Sequence, residues 1–211
     1  MDRPDAYPLG FTAASLRPEL ARIVAESFLA EGDWEVAKAR ILATNALQCR
    51  SAGTAVRLER ALRQRLQQLT DAQLVLLARA TAEDRAALAW LATIKEIPFV
   101  FAFAAELLRD KLAALDPVLR LSDYEAYVDQ KAVVHPVLGQ LTAATRTKIR
   151  NVLLRMLTEA GLLLPGVKRP GTALGTVLRP VLSPAVATVI QDDDPRWLAG
   201  FLVPDAEISR R

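Results

Sequence analysis

The strongest constraint on this chain is the period of its apolar residues, which is helical over most of its length. Ile149, Val152, Leu153, Met156, Leu157 and Ala160 recur at three- and four-residue spacing, so a helix over 142–160 must bury one face. Ala55, Leu58, Leu62, Leu66 and Leu69 mark a second such stripe over 51–69. Only 9 of the 211 residues are Gly and 52% are hydrophobic, a mix that favours helix and supplies a core.

Local stop and start signals divide the pattern. A first helix follows Ser15, carries Leu20, Ile23, Val24 and Phe28, and stops near Gly32. Asp33 caps the next helix, with Trp34 anchoring its start. Thr70 with Gln73, and Thr81, open two more. Pro98 starts the most apolar helix, to about 114, and Asp116–Pro117 closes it. Ser122 with Glu125 predicts the cap of a short helix that breaks at His135–Pro136. Thr142 caps the long helix and Gly161 ends it. Leu162–Leu164 reads as a strand, the Pro-Gly pairs at 165–166 and 170–171 as turns, and Leu182–Ile190 as a last helix.

The expected fold is therefore all-α. A helical bundle spans 1–121, and 122–211 holds a winged helix-turn-helix-like segment and a C-terminal tail, with at most a small β-hairpin. The apolar run from Ile97 to Leu108 is interrupted by Pro98 and Glu106 and falls short of the roughly 20 residues a membrane span needs. It reads as a core helix, with no membrane insertion. One cysteine, Cys49, and no secretory leader pattern fit a cytoplasmic protein.

Net charge is only +3, but its distribution is uneven. Arg50, Arg57, Arg60, Arg63 and Arg65 stand against Glu59 alone in 50–69, net +4. Arg146, Lys148, Arg150, Arg155, Lys168, Arg169 and Arg179 stand against Glu159 alone in 142–180, net +6. On the 142–160 helix, Arg146, Lys148, Arg150, Asn151 and Arg155 lie off the apolar stripe, with no acidic residue among them. Solvated helix faces usually alternate their charges, and this one does not. Arg and Lys neutralise phosphates, while Asn and Arg can also read base edges. The order of short helix, break, basic helix and hairpin with Lys168 and Arg169 near its tip is that of a winged helix-turn-helix. Arg57, Arg60 and Arg63 repeat at helical spacing and can follow a phosphate track, or can pair with neighbouring acids.

Catalytic chemistry has little to stand on. His135 is the single histidine and reads as a turn residue; Cys49 reads as a small buried hydrophobe. Asp192, Asp193 and Asp194 lack a calcium-loop pattern and read as a solvated turn. Walker, GxGxxG and GxSxG motifs are absent. The expectation is a protein with no catalytic residues, metal, cofactor or small-molecule substrate.

One series of segments resembles a known family. Gly-Phe-Thr-Ala-Ala-Ser-Leu at 10–16 leads to Val-Ala-Glu-Ser-Phe-Leu-Ala-Glu-Gly-Asp-Trp at 24–34; Asn45 through Ser51, the Arg57–Leu69 helix and Ala89-Trp90-Leu91-Ala92 follow. Arg155-Met156-Leu157-Thr158-Glu159-Ala160-Gly161-Leu162 completes it. The series, over about 10–165, resembles BrxA of the bacteriophage-exclusion (BREX) defence systems. The resemblance implies a NusB-like helical fold and a non-enzymatic protein of phage defence that binds DNA; taken with the basic segments, the expectation is an accessory protein that binds double-stranded DNA alongside other BREX proteins. Two alternatives stay open: a protein–protein adaptor within the defence complex, and an RNA-binding NusB-like protein.

Overall fold

The structure, a computed structural model, describes residues 9–166 and 173–209. After a 3-10 turn at Gly10–Ala13 come α1 (Pro18–Glu31), α2 (Trp34–Ala43), α3 (Ala52–Leu66), α4 (Asp71–Arg79) and α5 (Ala82–Glu96). Next, α6 (Pro98–Ala102) and α7 (Arg109–Ala113) run on through a π turn at Phe103–Leu108. Then follow β1 (Val118–Arg120), α8 (Leu121–Val134), α9 (Pro136–Gly139), α10 (Ala143–Glu159), β2 (Leu163–Pro165) and β3 (Ala173–Val177). The chain closes with α11 (Pro184–Gln191), a 3-10 turn at Pro195–Phe201 and α12 (Asp205–Ile208).

Most helix ends follow from single residues. Gly32 takes a left-handed conformation (φ 69°) and donates its N–H to Phe28 O at 2.7 Å, which ends α1. The Asp33 carboxylate then accepts from the N–H groups of Glu35 and Val36 at 2.8 and 2.9 Å, which starts α2. Thr70 and Gln73 form a reciprocal capping box, and Thr81 and Thr142 cap α5 and α10. Gly161 (φ 71°) ends α10, with the Leu162 N–H returning to Leu157 O at 2.9 Å. The start of α8 differs from the sequence expectation. Asp123 accepts the Arg120 N–H at 2.8 Å, so the helix begins at Leu121 and Ser122 lies inside its first turn.

The expected hairpin is present and gains a third strand. β3 pairs antiparallel with β2 (Leu163 opposite Val177, Leu164 opposite Thr176) and, on its other side, with β1 (Val118 opposite Thr176). β1 therefore ties the chain before α8 to the strands after α10. Gly175 makes this possible, because a Cβ there would stand 2.6 Å from Leu164 O. Lys168 and Arg169, expected near the hairpin tip, lie outside the described residues.

One continuous hydrophobic core joins all of these elements, from Leu16 and Leu62 through Trp90 and Phe99 to Met156, Val177 and Phe201. Trp90 is fully buried and donates its indole N–H to Gly200 O at 2.9 Å. Trp34 stacks on Phe28, ring centroids 3.9 Å apart, and so locks α2 onto α1. Cys49, expected to be buried, is half-buried at the core's edge. The acidic triplet does structural work: Asp193 pairs with Lys95 at 3.0 Å, and Asp194 caps the 3-10 turn and pairs with Arg196. Among the described residues, no single helix is long and apolar enough to cross a membrane. The apolar run through α5 and α6–α7 bends by 114° and forms the centre of the core.

Candidate nucleic-acid interface

The segment before α1 is held from two sides, and both grips use charges that looked available in the sequence. From α3, Arg65 donates to the carbonyls of Ser15 at 2.7 Å, Ala14 at 2.8 Å and Phe11 at 3.4 Å. Burial pulls its pKa down to about 10, while Glu96 and Glu159 favour the cation, so it stays charged at neutral pH. From α10, Glu159 accepts from Ser15 Oγ at 2.8 Å, the Leu16 N–H at 2.7 Å and the Arg17 N–H at 3.3 Å. The acid that ends the basic run on α10 thus satisfies the backbone donors in front of α1.

The remaining expected residues divide by whether they already have partners. On α3, Arg63 is engaged by Glu59 at 2.8 Å and Glu35 at 3.4 Å, so its assignment to a phosphate track competes with two ion pairs. Arg57 and Arg60 are exposed and have no ion pair among the described residues. On α10, Arg146 is half-buried, pairs with Asp129 at 3.2 Å and donates to Leu138 O at 3.3 Å. Lys148, Asn151 and Arg155 are exposed and unpaired among the described residues, and fall at i, i+3 and i+7 along one face.

Arg150 occupies an intermediate position. It lines a groove of about 270 Å³ between α8 and α10 with Tyr124, Asp129, Arg146 and Thr147. Its Nε is buried without a hydrogen-bond partner. Burial pushes the adjacent Tyr124 hydroxyl up to about 12, against the pull of Arg150 and Arg146, so it remains a neutral donor. Asn151 and Arg155 open instead onto a second cleft, between α10 and residues 12–17. Arg57 and Arg60 line neither. Sequence reasoning passes over Arg17, which joins the second cleft. Its one signal is Pro18, which disfavours right-handed helical backbone at the preceding residue; Arg17 is left-handed, φ 49° and ψ 58°.

These features define a mostly helical protein with a small antiparallel sheet, whose longest described helix presents a basic face unpaired among the described residues. A sequence model of the BrxA family matches residues 5–194, and the chain belongs to that family. It is 29% identical over 141 residues to BREX protein BrxA of Escherichia coli O9:H4 (strain HS), an alignment that spans 67% of this chain and 66% of that relative. The fold is similar to a crystal structure of an uncharacterized protein from Magnetospirillum magneticum: TM-score 0.78, 18% identity, 93% of this chain and 97% of that one.

Proposed function

We propose that the protein is a non-enzymatic, DNA-binding accessory component of a BREX phage-defence system, acting in the cytoplasm with other BREX proteins. The observation that carries this reading is the outer face of α10, where Lys148, Asn151 and Arg155 stand exposed without acidic partners. Two further features support it. The order β1, α8, the short α9, α10, β2, β3, with β3 central, is compatible with a winged helix-turn-helix. Arg150, which lines the α8–α10 groove and has no ion pair among the described residues, adds a further cation on the same helix. In this reading α10 is the recognition helix, the helices of the 1–121 bundle are the NusB-like part, and the contact with duplex DNA is mainly electrostatic.

The test is a salt titration of duplex binding by fluorescence anisotropy, with structured RNA as competitor at fixed salt. Three phosphates neutralised by Lys148, Arg150 and Arg155 give a slope of log affinity on log salt of about −2.7, at roughly 0.9 per contact. A flat salt response, or undiminished binding by the triple glutamate variant at these positions, would overturn the reading. Displacement by RNA at equal concentration would turn it toward RNA. Co-purification with another BREX protein without any shift of duplex would turn it toward an adaptor.

A further inference from the structure

The cleft between residues 12–17 and α10 is built unlike the other charged surfaces of the molecule. It encloses about 320 Å³ and is lined by Thr12, Ser15 and Arg17 from one side and Asn151 and Arg155 from the other. Among the described residues, no carboxylate lines it. The groove between α8 and α10, by contrast, contains Glu125 and Asp129, and Asp129 already engages Arg146. The acid nearest in sequence to Arg155, Glu159, spends its two oxygens on Ser15 Oγ and the Leu16 and Arg17 N–H groups. Both arginine side chains of the cleft are without ion pairs or hydrogen bonds among the described residues.

The backbone of the arginine in the N-terminal segment is also fixed in place. Its N–H is held by Glu159, Pro18 follows it, and its backbone sits in the left-handed region that residues other than Gly seldom occupy. The segment carrying it is anchored to α3 by the buried Arg65. Two cations from elements far apart in sequence therefore converge on one acid-free concavity, beside two neutral donors, Thr12 and Asn151.

We propose that this cleft is a phosphate seat, with Arg17 and Arg155 as its cations and Asn151 as its neutral donor. Resting on the DNA reading above, the seat takes a backbone phosphodiester, so that the nucleic-acid footprint crosses from α10 onto the segment before α1. Arg17 then positions the duplex without reading its sequence.

Two measurements on the full chain test it. In the duplex titration, Arg17→Ala lowers the salt slope measurably but by no more than about 0.9, because it shares its one phosphate with Arg155, and does so equally for unrelated sequences. Arg17→Lys restores the slope, and Arg22→Ala, an α1 residue already paired with Glu26, leaves it unchanged. In the second, inorganic phosphate is titrated while the arginine guanidinium NMR signals are followed. The Arg17 and Arg155 signals shift and those of Arg57 do not. An unchanged slope in Arg17→Ala together with static Arg17 signals overturns the seat while leaving DNA binding by α10 intact. If the protein fails to bind duplex yet phosphate moves both signals, the DNA reading falls and the seat stands as one for a free phosphate group. Phosphate shifts with an unchanged slope place the seat off the DNA path.

Discussion

α3 and α10 look alike on paper: each is an amphipathic helix, each carries a cluster of arginine or lysine, and each has a single glutamate. In the folded protein they are used differently. Of the four arginines on α3, Arg65 is buried against three carbonyls and Arg63 is held by two glutamates, so among the described residues only Arg57 and Arg60 remain unpaired. Among the described residues, Arg146 is the one basic side chain of α10 with an ion pair, and Lys148, Arg150 and Arg155 have none. A net charge per segment counts an arginine that holds a loop and one that faces solvent as equals. The three-dimensional arrangement separates them, and it assigns α3 mainly to scaffold and α10 mainly to surface.

The contrast is broken most directly at Arg65. Arg65→Met keeps the apolar volume but leaves the carbonyls of Ser15 and Ala14 without their donor inside the protein. Hydrogen bonds to charged groups contribute about 1.5–3 kcal/mol each and do not add fully, so the expected loss is about 3 kcal/mol in urea unfolding. Arg57→Ala on the same helix is expected to stay within about 0.5 kcal/mol, as exposed substitutions do. If the two variants unfolded alike, α3 would not be the scaffold element described here.

The next effect is on binding. Replacing Lys148 and Arg155 together by Ala should lower the salt slope of duplex binding by about 1.8, at roughly 0.9 per lost contact, with unfolding unchanged. The matching pair on α3, Arg57→Ala with Arg60→Ala, should alter it by less than half as much. Equal losses from both pairs would mean that the two helices lie along one track, and would sharpen the comparison into a shared footprint.

Much of the scaffold was legible in the sequence because its signals are local. Asp33, Thr70, Thr81, Thr142 and Gly161 act on backbone groups within a turn of themselves, and the apolar stripes of α3 and α10 bury the faces their spacing requires. β1 was not legible, since Val118–Arg120 is too short to show a period and exists only because β3 lies beside it. The same limit applies to the candidate interface. The residue types on α10 were readable, but Arg146 is paired through Asp129, seventeen positions away, and Arg65 through carbonyls about fifty positions away. Arg17 enters the second cleft only because Arg65 and Glu159 fold its segment against α10.

The smallest expected effect concerns the seam between the bundle and the sheet. Asp116 accepts from Arg120 at 2.7 Å and from Lys111 at 3.0 Å, and Lys111 also pairs with Asp123 at 2.9 Å. The hydrogen bond from Arg120, then that from Lys111, holds the Asp116 carboxyl at about 2, below its ordinary 3.8. A carboxylate depressed in the folded state contributes stability that is present above the unfolded value and is lost as pH falls through the folded one. The contribution of Asp116 is therefore complete above about pH 4 and disappears toward pH 2, a window set by its own two values. Because the group is exposed and screened, Asp116→Asn should leave stability near neutral pH only slightly reduced. Its mark should be a shallower fall in the unfolding midpoint between pH 4 and 2 than the parent shows. An identical acid limb in both would place the titrating groups elsewhere and leave the attachment of β1 to pairing with β3 alone.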